Sequence, residues 1–262
     1  MNESRPLALV TGASSGIGAD LARELAKAGY DLVLSARQAA PMEALAREIE
    51  GQGAAATVIT ADLSREGAAA ALVQDIERRG LTLDALIANA GLGAHGRFDQ
   101  ADERRVREML QVNVAALTEL TRLALPGMVA RRRGRVMLVA STAAFQPGPG
   151  MAVYCATKAY VLSFGEAIAY ELRGTGVTVT TLCPGATRTN FSQVASMEGT
   201  SLFNSRLPVM TAAEVARLGV RAMLAGRRVV VTGLLNRLTA VSGRMSPHGL
   251  SLPIFASMMS SR

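Results

Sequence analysis

The sequence has few cysteines, histidines and aromatic residues, and each shortage excludes a class of protein. It contains two cysteines, two histidines and no tryptophan in 262 residues, and aromatic residues make up 4%. Cys155 and Cys183 are too few for a disulfide framework and have no metal-ligand spacing, so we expect two free thiols and no metal site. No run of 18 uncharged apolar residues and no signal-like N-terminal segment are present. We therefore expect a cytoplasmic protein without a transmembrane segment.

The chain is basic, with a formal net charge of +7 at pH 7. The arginine run at 131–133, followed by Arg135, is a place where nucleic acid could bind. However, aromatic residues are scarce, and the other basic residues are interspersed with acidic ones along the helical segments, which is typical of a solvated surface. We therefore expect no nucleic-acid partner, although some of the positive charge could serve an anionic small ligand.

Short β-rich segments alternate with amphipathic helical segments along the chain. Seven strands are predicted, at 7–10, 32–35, 57–60, 85–88, 136–140, 177–182 and 228–231. Helices are predicted at 21–28, 41–49, 68–79 and 211–225, and the last begins with the capping-box sequence Thr211-Ala212-Ala213-Glu214. Nearly continuous apolar strands alternating with helices favour a single α/β domain over 1–262, with a doubly wound parallel sheet covered by helices on both faces. Ligands of such sheets bind at the carboxyl ends of the strands.

The first predicted strand runs into a glycine-rich turn, Thr11-Gly12-Ala13-Ser14-Ser15-Gly16-Ile17-Gly18. Glycines at such a turn let the backbone approach a pyrophosphate, and the free N–H groups of the following helix hold it. A plain connection between a strand and a helix also uses glycine and serine. The position after the first strand of a strand–helix series favours phosphate binding.

Almost all basic residues are arginine, yet one of the two lysines stands close to a tyrosine. Lys158 follows Tyr154 by four residues, and residues four apart lie on the same face of a helix. An ammonium is a compact charge that fits beside a phenol, whereas a guanidinium is a wide planar fork. This pair is therefore the first candidate for chemistry.

Further motifs accompany this pair in a fixed order. The set comprises Thr11 to Gly18, Asn89-Ala90-Gly91, Asn113, Ser141, Tyr154-x3-Lys158 and Pro184-Gly185. In order and spacing it resembles the short-chain dehydrogenase/reductase family over about residues 6–233, leaving 234–262 as a C-terminal extension. The resemblance implies a Rossmann-type sheet of seven parallel strands, and hydride transfer between a nicotinamide cofactor and a carbonyl or alcohol.

The resemblance assigns four catalytic residues. Tyr154 would protonate the carbonyl oxygen during reduction or act as the base in oxidation, and Lys158 would also hold the nicotinamide ribose. The ammonium and a cationic nicotinamide would lower the pKa of the Tyr154 phenol toward the operating pH. Ser141 would orient and polarise the substrate oxygen. Asn113 would hold a water of the proton relay behind Lys158.

The resemblance also assigns cofactor contacts along the chain. They are Gly12, Ser14, Ser15, Gly16, Ile17, Gly18, Asp62, Leu63, Asn89, Ala90, Gly91, Tyr154, Lys158, Pro184, Gly185, Thr187 and Thr189. Asp62 would accept a hydrogen bond from the adenine amine, and Thr189 would bond the carboxamide. For Asn89, a structural role is an equal alternative. Thr187 stands where the family commonly has a branched aliphatic residue, and its hydroxyl has no assigned role.

The choice between the two nicotinamide cofactors depends on the end of the second strand. An acidic side chain there would bond the adenosine 2′-hydroxyl and favour NAD. This chain has Ala36 and Arg37 instead. A guanidinium pairs with a phosphate bidentately, and Ser14 offers a hydroxyl, so we predict that NADP(H) is preferred over NAD(H).

The substrate is the least determined feature. Apolar side chains are frequent in the segment 189–211 and in the tail: Phe191, Val194, Met197, Leu202, Phe203, Leu207, Val209, Met210, Leu250, Leu252, Ile254, Phe255, Met258 and Met259. They favour an adaptable lipophilic pocket, with core packing and a subunit contact as an equal alternative.

Three further expectations concern the oligomeric state, His95 and an alternative function. Family members commonly pair through the helices that hold Asn113 and Tyr154, so we expect a homodimer or homotetramer. His95 could edge the active site, although a plain loop histidine is favoured. A non-catalytic NADP(H)-binding regulator is the second functional hypothesis, but a regulator would not need a proton donor.

Overall fold

The computed structural model describes residues 5–188 and 209–245, together with 252, 253 and 256. Its strands are β1 (Leu7–Thr11), β2 (Asp31–Ala36), β3 (Ala56–Thr60), β4 (Ala85–Ala88), β5 (Gly134–Val139), β6 (Val177–Cys183), β7 (Thr187–Arg188), β8 (Met210–Thr211) and β9 (Val229–Val231). Its helices are α1 (Gly16–Lys27), α2 (Ala39–Glu50), α3 (Ala68–Arg78), α4 (Glu103–Leu110), α5 (Leu117–Ala130), α6 (Ala152–Glu171), α7 (Ala212–Leu224) and α8 (Leu234–Met245). A π-helical turn, Gln111–Ala116, joins α4 to α5, and 3₁₀ turns lie at Phe98–Gln100 and Thr142–Phe145.

Seven strands form one parallel sheet in the order β3-β2-β1-β4-β5-β6-β9. All seven predicted strands are present in it, so the predicted fold class is confirmed. The short strands β7 and β8 pair separately and were not predicted, because a strand of two residues shows no alternation of polar and apolar side chains.

The sheet is covered by helices on both faces. Leu9 and Leu86 pack into one hydrophobic cluster with side chains of α3, α4, α5 and α6. Their neighbours Val10 and Ile87 pack into the other, with α1, α2 and α7. Successive side chains of a strand point to opposite faces, so burial on both sides explains why the strands are almost continuously apolar.

The helix after β8 begins with the capping box that its sequence indicates. The Thr211 hydroxyl accepts from the Glu214 backbone N–H at 3.2 Å, and the Glu214 carboxylate accepts from the Thr211 N–H at 2.8 Å. Two N–H groups that the helix leaves unpaired at its start are therefore satisfied.

The arginine run bonds to the backbone of its own chain. Arg131 donates to the carbonyl of Leu83 at 2.8 Å, and Arg132 donates to that of Gly174 at 3.2 Å. Arg135 donates to the carbonyl of Met223 at 3.0 Å, next to the last residue of α7. These guanidinium groups connect β5 and the turn before it to neighbouring segments, which gives the run a structural role.

Both cysteines are free, as predicted, and both are buried. Burial raises the pKa of each thiol to about 12, so both stay protonated at neutral pH and neither is activated as a nucleophile. Within the described parts of the chain, no helix is long and apolar enough to cross a membrane.

Candidate active site

The strand order reverses between β1 and β4, so a crevice opens where these strands end. The turn after β1 is held there by the start of the loop after β4. The side-chain amide of Asn89 donates to the carbonyls of Thr11 and Gly12, at 2.9 and 3.3 Å. The Thr11 hydroxyl accepts from the backbone N–H groups of Asn89 and Ala90, both at 3.1 Å. The structural alternative for Asn89 is therefore supported, and Thr11 is a partner that the sequence analysis missed.

Close backbone contacts explain two glycines of this turn. Gly12 has φ +67°, a conformation that side chains disfavour. A Cβ atom on Gly18 would lie 2.1 Å from the Gly12 carbonyl oxygen, so any side chain would push α1 away from the turn. The first turn of α1 contains no acidic residue, and the Ser15 side chain does not cap it. No carboxylate at the start of α1 would repel an anion, and the Ser15 side chain does not occupy its N–H groups. The helix N-terminus is thus suited to a cofactor pyrophosphate.

The ends of β2 and β3 carry opposite charges. Arg37 follows Ala36, is exposed, and forms no hydrogen bond or ion pair within the described parts of the chain. The pKa of Asp62 is lowered, first by a hydrogen bond from the Ser64 hydroxyl at 2.7 Å and also by the charges of Arg37 and Arg65. Arg37 is therefore available to an anionic ligand, whereas Asp62 already accepts from Ser64.

The tyrosine and lysine lie where the sequence predicts, one turn apart on α6. Both are buried, and the Lys158 ammonium lies 5.8 Å from the centroid of the Tyr154 ring. Lys158 donates to the Val139 carbonyl on β5 at 2.8 Å. Ser141 begins the segment after β5, and its side chain forms a hydrogen bond with Tyr154. The structure therefore brings Ser141, Tyr154 and Lys158 together at the carboxyl end of β5.

The pKa of Tyr154 differs from the sequence-based expectation. Burial raises it to about 12, and the hydrogen bond with Ser141 offsets this only in part. Burial also lowers the pKa of Lys158 to about 8. The expectation from sequence rested on neighbouring charges, whereas desolvation opposes the charged form of each group and has the largest effect in the protein without its cofactor. Tyr154 is thus protonated at neutral pH, as a proton donor must be.

Asn113 lies fully buried in the π-helical turn. Its Oδ1 accepts from the Leu92 N–H at 2.8 Å, and its Nδ2 donates to the Leu92 carbonyl at 2.9 Å and to the Thr157 hydroxyl at 3.0 Å. The Thr157 hydroxyl donates in turn to the Tyr154 carbonyl at 2.7 Å. The side chain thus ties the loop after β4 to the helix that carries Tyr154, and the water-holding role assigned from sequence stays a prediction.

Gly91 lies beside both Asn113 and Lys158. A Cβ atom on this glycine would lie 3.4 Å from the Asn113 Oδ1 and 3.4 Å from the Lys158 Nζ. The loop after β4 is also connected to the segment before α6, because the Gly96 N–H donates to the Gly150 carbonyl at 2.9 Å. His95 lies half-buried within this connected loop.

The loop after β6 completes the described part of the site. The Pro184 carbonyl accepts from the Thr142 N–H at 2.8 Å, which joins this loop to the turn that begins at Ser141. The Thr187 hydroxyl donates to the Gly185 carbonyl at 2.9 Å, so the hydroxyl without an assigned role stabilises the loop.

The remaining predicted site residues lie in several parts of the chain. Ser14, Ser15, Gly16 and Ile17 belong to the turn after β1 and the start of α1, and Leu63 is buried after β3. Val209, Met210 and Leu252 are half-buried. Outside the described residues lie Thr189, Phe191, Val194, Met197, Leu202, Phe203, Leu207, Leu250, Ile254, Phe255, Met258 and Met259.

Comparison with known proteins agrees with this geometry. A family model described as short chain dehydrogenase matches residues 6–198. The ketoacyl reductase HetN of Nostoc sp. is 31% identical over 246 residues, which cover 91% of this chain and 84% of the relative. The solved short-chain dehydrogenase from Sphingobium yanoikuyae in complex with NADPH is 31% identical, with a TM-score of 0.80 over 94% of this chain and 95% of that chain.

A second solved structure is similar over an equal share of the chain. The bulky-bulky ketone specific alcohol dehydrogenase from Comamonas testosteroni is 29% identical, with a TM-score of 0.78 over 95% of this chain and 94% of that chain. Neighbouring structures contain NADP(H) in some cases and NAD(H) in others, so they support a nicotinamide cofactor without deciding which one. Since the family model alone spans well over half of the sequence, this chain belongs to the short-chain dehydrogenase/reductase family of oxidoreductases.

Proposed function

We propose that this protein is an NADP(H)-dependent oxidoreductase that interconverts carbonyl compounds and alcohols, with Tyr154 as the proton donor. The observation that carries the proposal is the buried Tyr154 hydroxyl, bonded to Ser141, with the Lys158 ammonium 5.8 Å from its ring. A regulator that only binds the cofactor would need the crevice but not this arrangement. The site therefore favours an enzyme over a regulator.

A bound nicotinamide cofactor would supply or accept the hydride. The Ser141 and Tyr154 side chains form a hydrogen bond with each other, so both hydroxyls are close enough to bind one substrate oxygen. Tyr154 donates its proton to that oxygen as negative charge develops there, and Ser141 donates a hydrogen bond to it. The Lys158 ammonium stabilises the resulting phenolate. In oxidation the phenolate takes the proton back from the alcohol.

The preference for NADP(H) rests on Arg37. Its guanidinium is exposed at the end of β2 and forms no hydrogen bond or ion pair within the described residues, and the preceding Ala36 offers no carboxylate. A 2′-phosphate would give Arg37 a bidentate partner, while an NAD ribose would not. Ser14, half-buried in the turn after β1, would add a hydroxyl.

Replacing Ala36→Asp together with Arg37→Leu should move the cofactor preference toward NADH. The new carboxylate repels the phosphate and bonds the ribose hydroxyl, and the guanidinium no longer pairs. We expect the ratio of kcat/KM with NADPH to kcat/KM with NADH to fall about 10- to 100-fold, the effect of one hydrogen bond to a charged group. Arg47→Leu is the matched control, because it removes another exposed arginine, in the last turn of α2. An unmodified protein that binds NADH as tightly as NADPH would refute the role of Arg37.

For the substrate we propose bulky lipophilic ketones or aldehydes. The support is the apolar sequence of the segment 189–211 and of the tail, together with the similarity to an alcohol dehydrogenase named for bulky ketones. The competing explanation for these side chains is subunit contact. Exposed Leu110, Leu123 and Tyr160 lie on α4, α5 and α6, which supports a homodimer or homotetramer paired through those helices.

A series of methyl ketones tests the substrate class, with NADPH absorbance as the measurement. We expect kcat/KM to rise up to about fourfold per added methylene, since burying one contributes about 0.8 kcal/mol. Truncation after Ser246 should flatten this rise in a protein whose circular dichroism shows that it remains folded. A rate that does not change with chain length would exclude a lipophilic pocket, and unchanged selectivity after truncation would exclude a contribution from the tail.

Two free, buried thiols fit a reducing compartment, so we place the enzyme in the cytoplasm. We also propose that the 262 residues form one domain, because α8 packs against the turn after β5.

A further inference from the structure

Helix α8 lies beyond the residues that the family model matches, yet it contacts two active-site segments. Near its start, Asn236 lies against Gly185 of the loop after β6. Seven residues later, a Cβ atom on Gly243 would lie 3.0 Å from the Gln146 Oε1 and 3.4 Å from the Phe145 carbonyl oxygen. Seven residues are about two turns, so both contacts lie on the same face of α8.

The contact at Gly185 is unusually close. A Cβ atom on Gly185 would lie 2.3 Å from the Asn236 Nδ2 and 2.5 Å from both its Cγ and its Oδ1. Because these three distances are nearly equal, the flat side of the amide group lies where a side chain on Gly185 would begin. The amide is itself fixed, because its Nδ2 donates to the Thr232 carbonyl at 2.8 Å. Gly185 is not among the glycines with positive φ, so the requirement for glycine comes from Asn236 and not from the backbone.

A short series of contacts connects Gly185 to the proposed proton donor. The preceding carbonyl, of Pro184, accepts from the Thr142 N–H at 2.8 Å and lies 3.5 Å from the Ser141 hydroxyl. Ser141 forms the hydrogen bond with Tyr154. A shift of the Gly185 peptide would therefore move the Pro184 carbonyl and the turn that holds Ser141.

We propose that Asn236 is a positioning residue for the reaction. Its amide limits how far the loop after β6 can move toward α8, and so fixes the Ser141 hydroxyl relative to Tyr154. The proposal rests on the proposed function, because the loop matters only if Ser141 and Tyr154 handle the substrate oxygen. Reacting groups displaced by about 1 Å can lose about 100-fold in rate, so a contact remote from the chemistry has a measurable effect.

A double-mutant cycle of Gly185→Ala and Asn236→Ala tests the proposal. Gly185→Ala should lower kcat about 10- to 100-fold and weaken NADPH binding, because the new methyl group has no room against the amide. Asn236→Ala should lower kcat about 10-fold, because the loop loses its support. The double variant should be no worse than Asn236→Ala, since the three atoms nearest to the new methyl group all belong to Asn236. Arg237→Ala, an exposed neighbour on α8, is the matched control and should behave like the parent.

Two further measurements separate positioning from stability. With NADPH deuterated at the transferred position, Asn236→Ala should show a larger isotope effect on kcat, and its Tm should remain near that of the parent. A lower Tm with unchanged kcat and isotope effect would overturn the proposal. It would also be overturned if Gly185→Ala lowered kcat by the same factor in the parent and in the Asn236→Ala variant. Asn236→Ser replaces Asn236→Ala if the latter does not fold.

The cycle also distinguishes this proposal from the proposed function. If the parent reduces no carbonyl compound, the proposed function fails. The NADPH dissociation constants, measured by the fluorescence of the cofactor, then still report the coupling between Gly185 and Asn236. If Gly185→Ala raised the dissociation constant by the same factor with and without Asn236, the role of Asn236 in fixing the loop would be overturned.

Discussion

The Tyr154→Phe variant is expected to bind NADPH like the parent but to reduce carbonyl substrates about 10²- to 10⁴-fold more slowly, the usual contribution of a positioned general acid. The substitution removes the proton donor and keeps the ring in the hydrophobic cluster where Tyr154 is buried. Loss of the hydrogen bond with Ser141 should cost about 1 kcal/mol of stability, too little to unfold the protein. Turnover and the NADPH dissociation constant are the measurements.

Tyr160→Phe is a matched control on the same helix. The Tyr160 hydroxyl forms a hydrogen bond with Thr118 at 2.9 Å near the surface, so the control removes one comparable bond six residues away from Tyr154. It should retain the turnover of the parent. If Tyr154→Phe also retains it, Tyr154 is not the acid, and the regulator hypothesis becomes the better one.

Most of the fold could be predicted because its signals are local. Apolar strands, glycine turns and the capping box at Thr211 each depend on neighbouring residues, and the structure confirms them. The two-residue strands β7 and β8 and the π-helical turn around Asn113 could not be predicted in this way. They depend on packing between distant segments, which leaves no period in the sequence.

The placement of Tyr154 and Lys158 on one helix was predictable, but the electrostatics of the candidate site were not. Tyr154 and Lys158 are neighbours on one helix, so their spacing sufficed to find them. Asn113 forms hydrogen bonds with Leu92, and Asn236 contacts Gly185. In each pair the residues are 21 or more positions apart, so no local sequence pattern indicates the contact. The direction of the Tyr154 pKa also depends on burial, which the charges alone do not reveal.

The Lys158→Arg variant should lose about 100-fold in turnover although it keeps its positive charge. Lys158 is 5% exposed, and its ammonium reaches the Val139 carbonyl at 2.8 Å, within a space formed for a compact group. A planar guanidinium would have to displace that backbone or the Tyr154 ring. The measurement is kcat beside the NADPH dissociation constant, with Lys27→Arg as the control at the only other lysine, which is exposed. Near-normal turnover in Lys158→Arg would show that charge alone suffices.

The same lysine should limit the reaction at high pH. Burial disfavours the ammonium, so the pKa of Lys158 falls from the ordinary 10.5 to about 8, and the side chain loses its charge as the pH rises through that value. Protein labelled with ¹³C at the lysine ε carbons gives only two signals, because the chain has two lysines, and Lys158→Arg identifies the one that titrates near 8. If the ammonium stabilises the Tyr154 phenolate, the reduction rate should fall over the same range, while Lys158→Arg, which stays charged, should show no such fall. A Lys158 signal that titrates near 10.5 would contradict the effect of burial, and a constant rate across its titration would contradict the role of the ammonium.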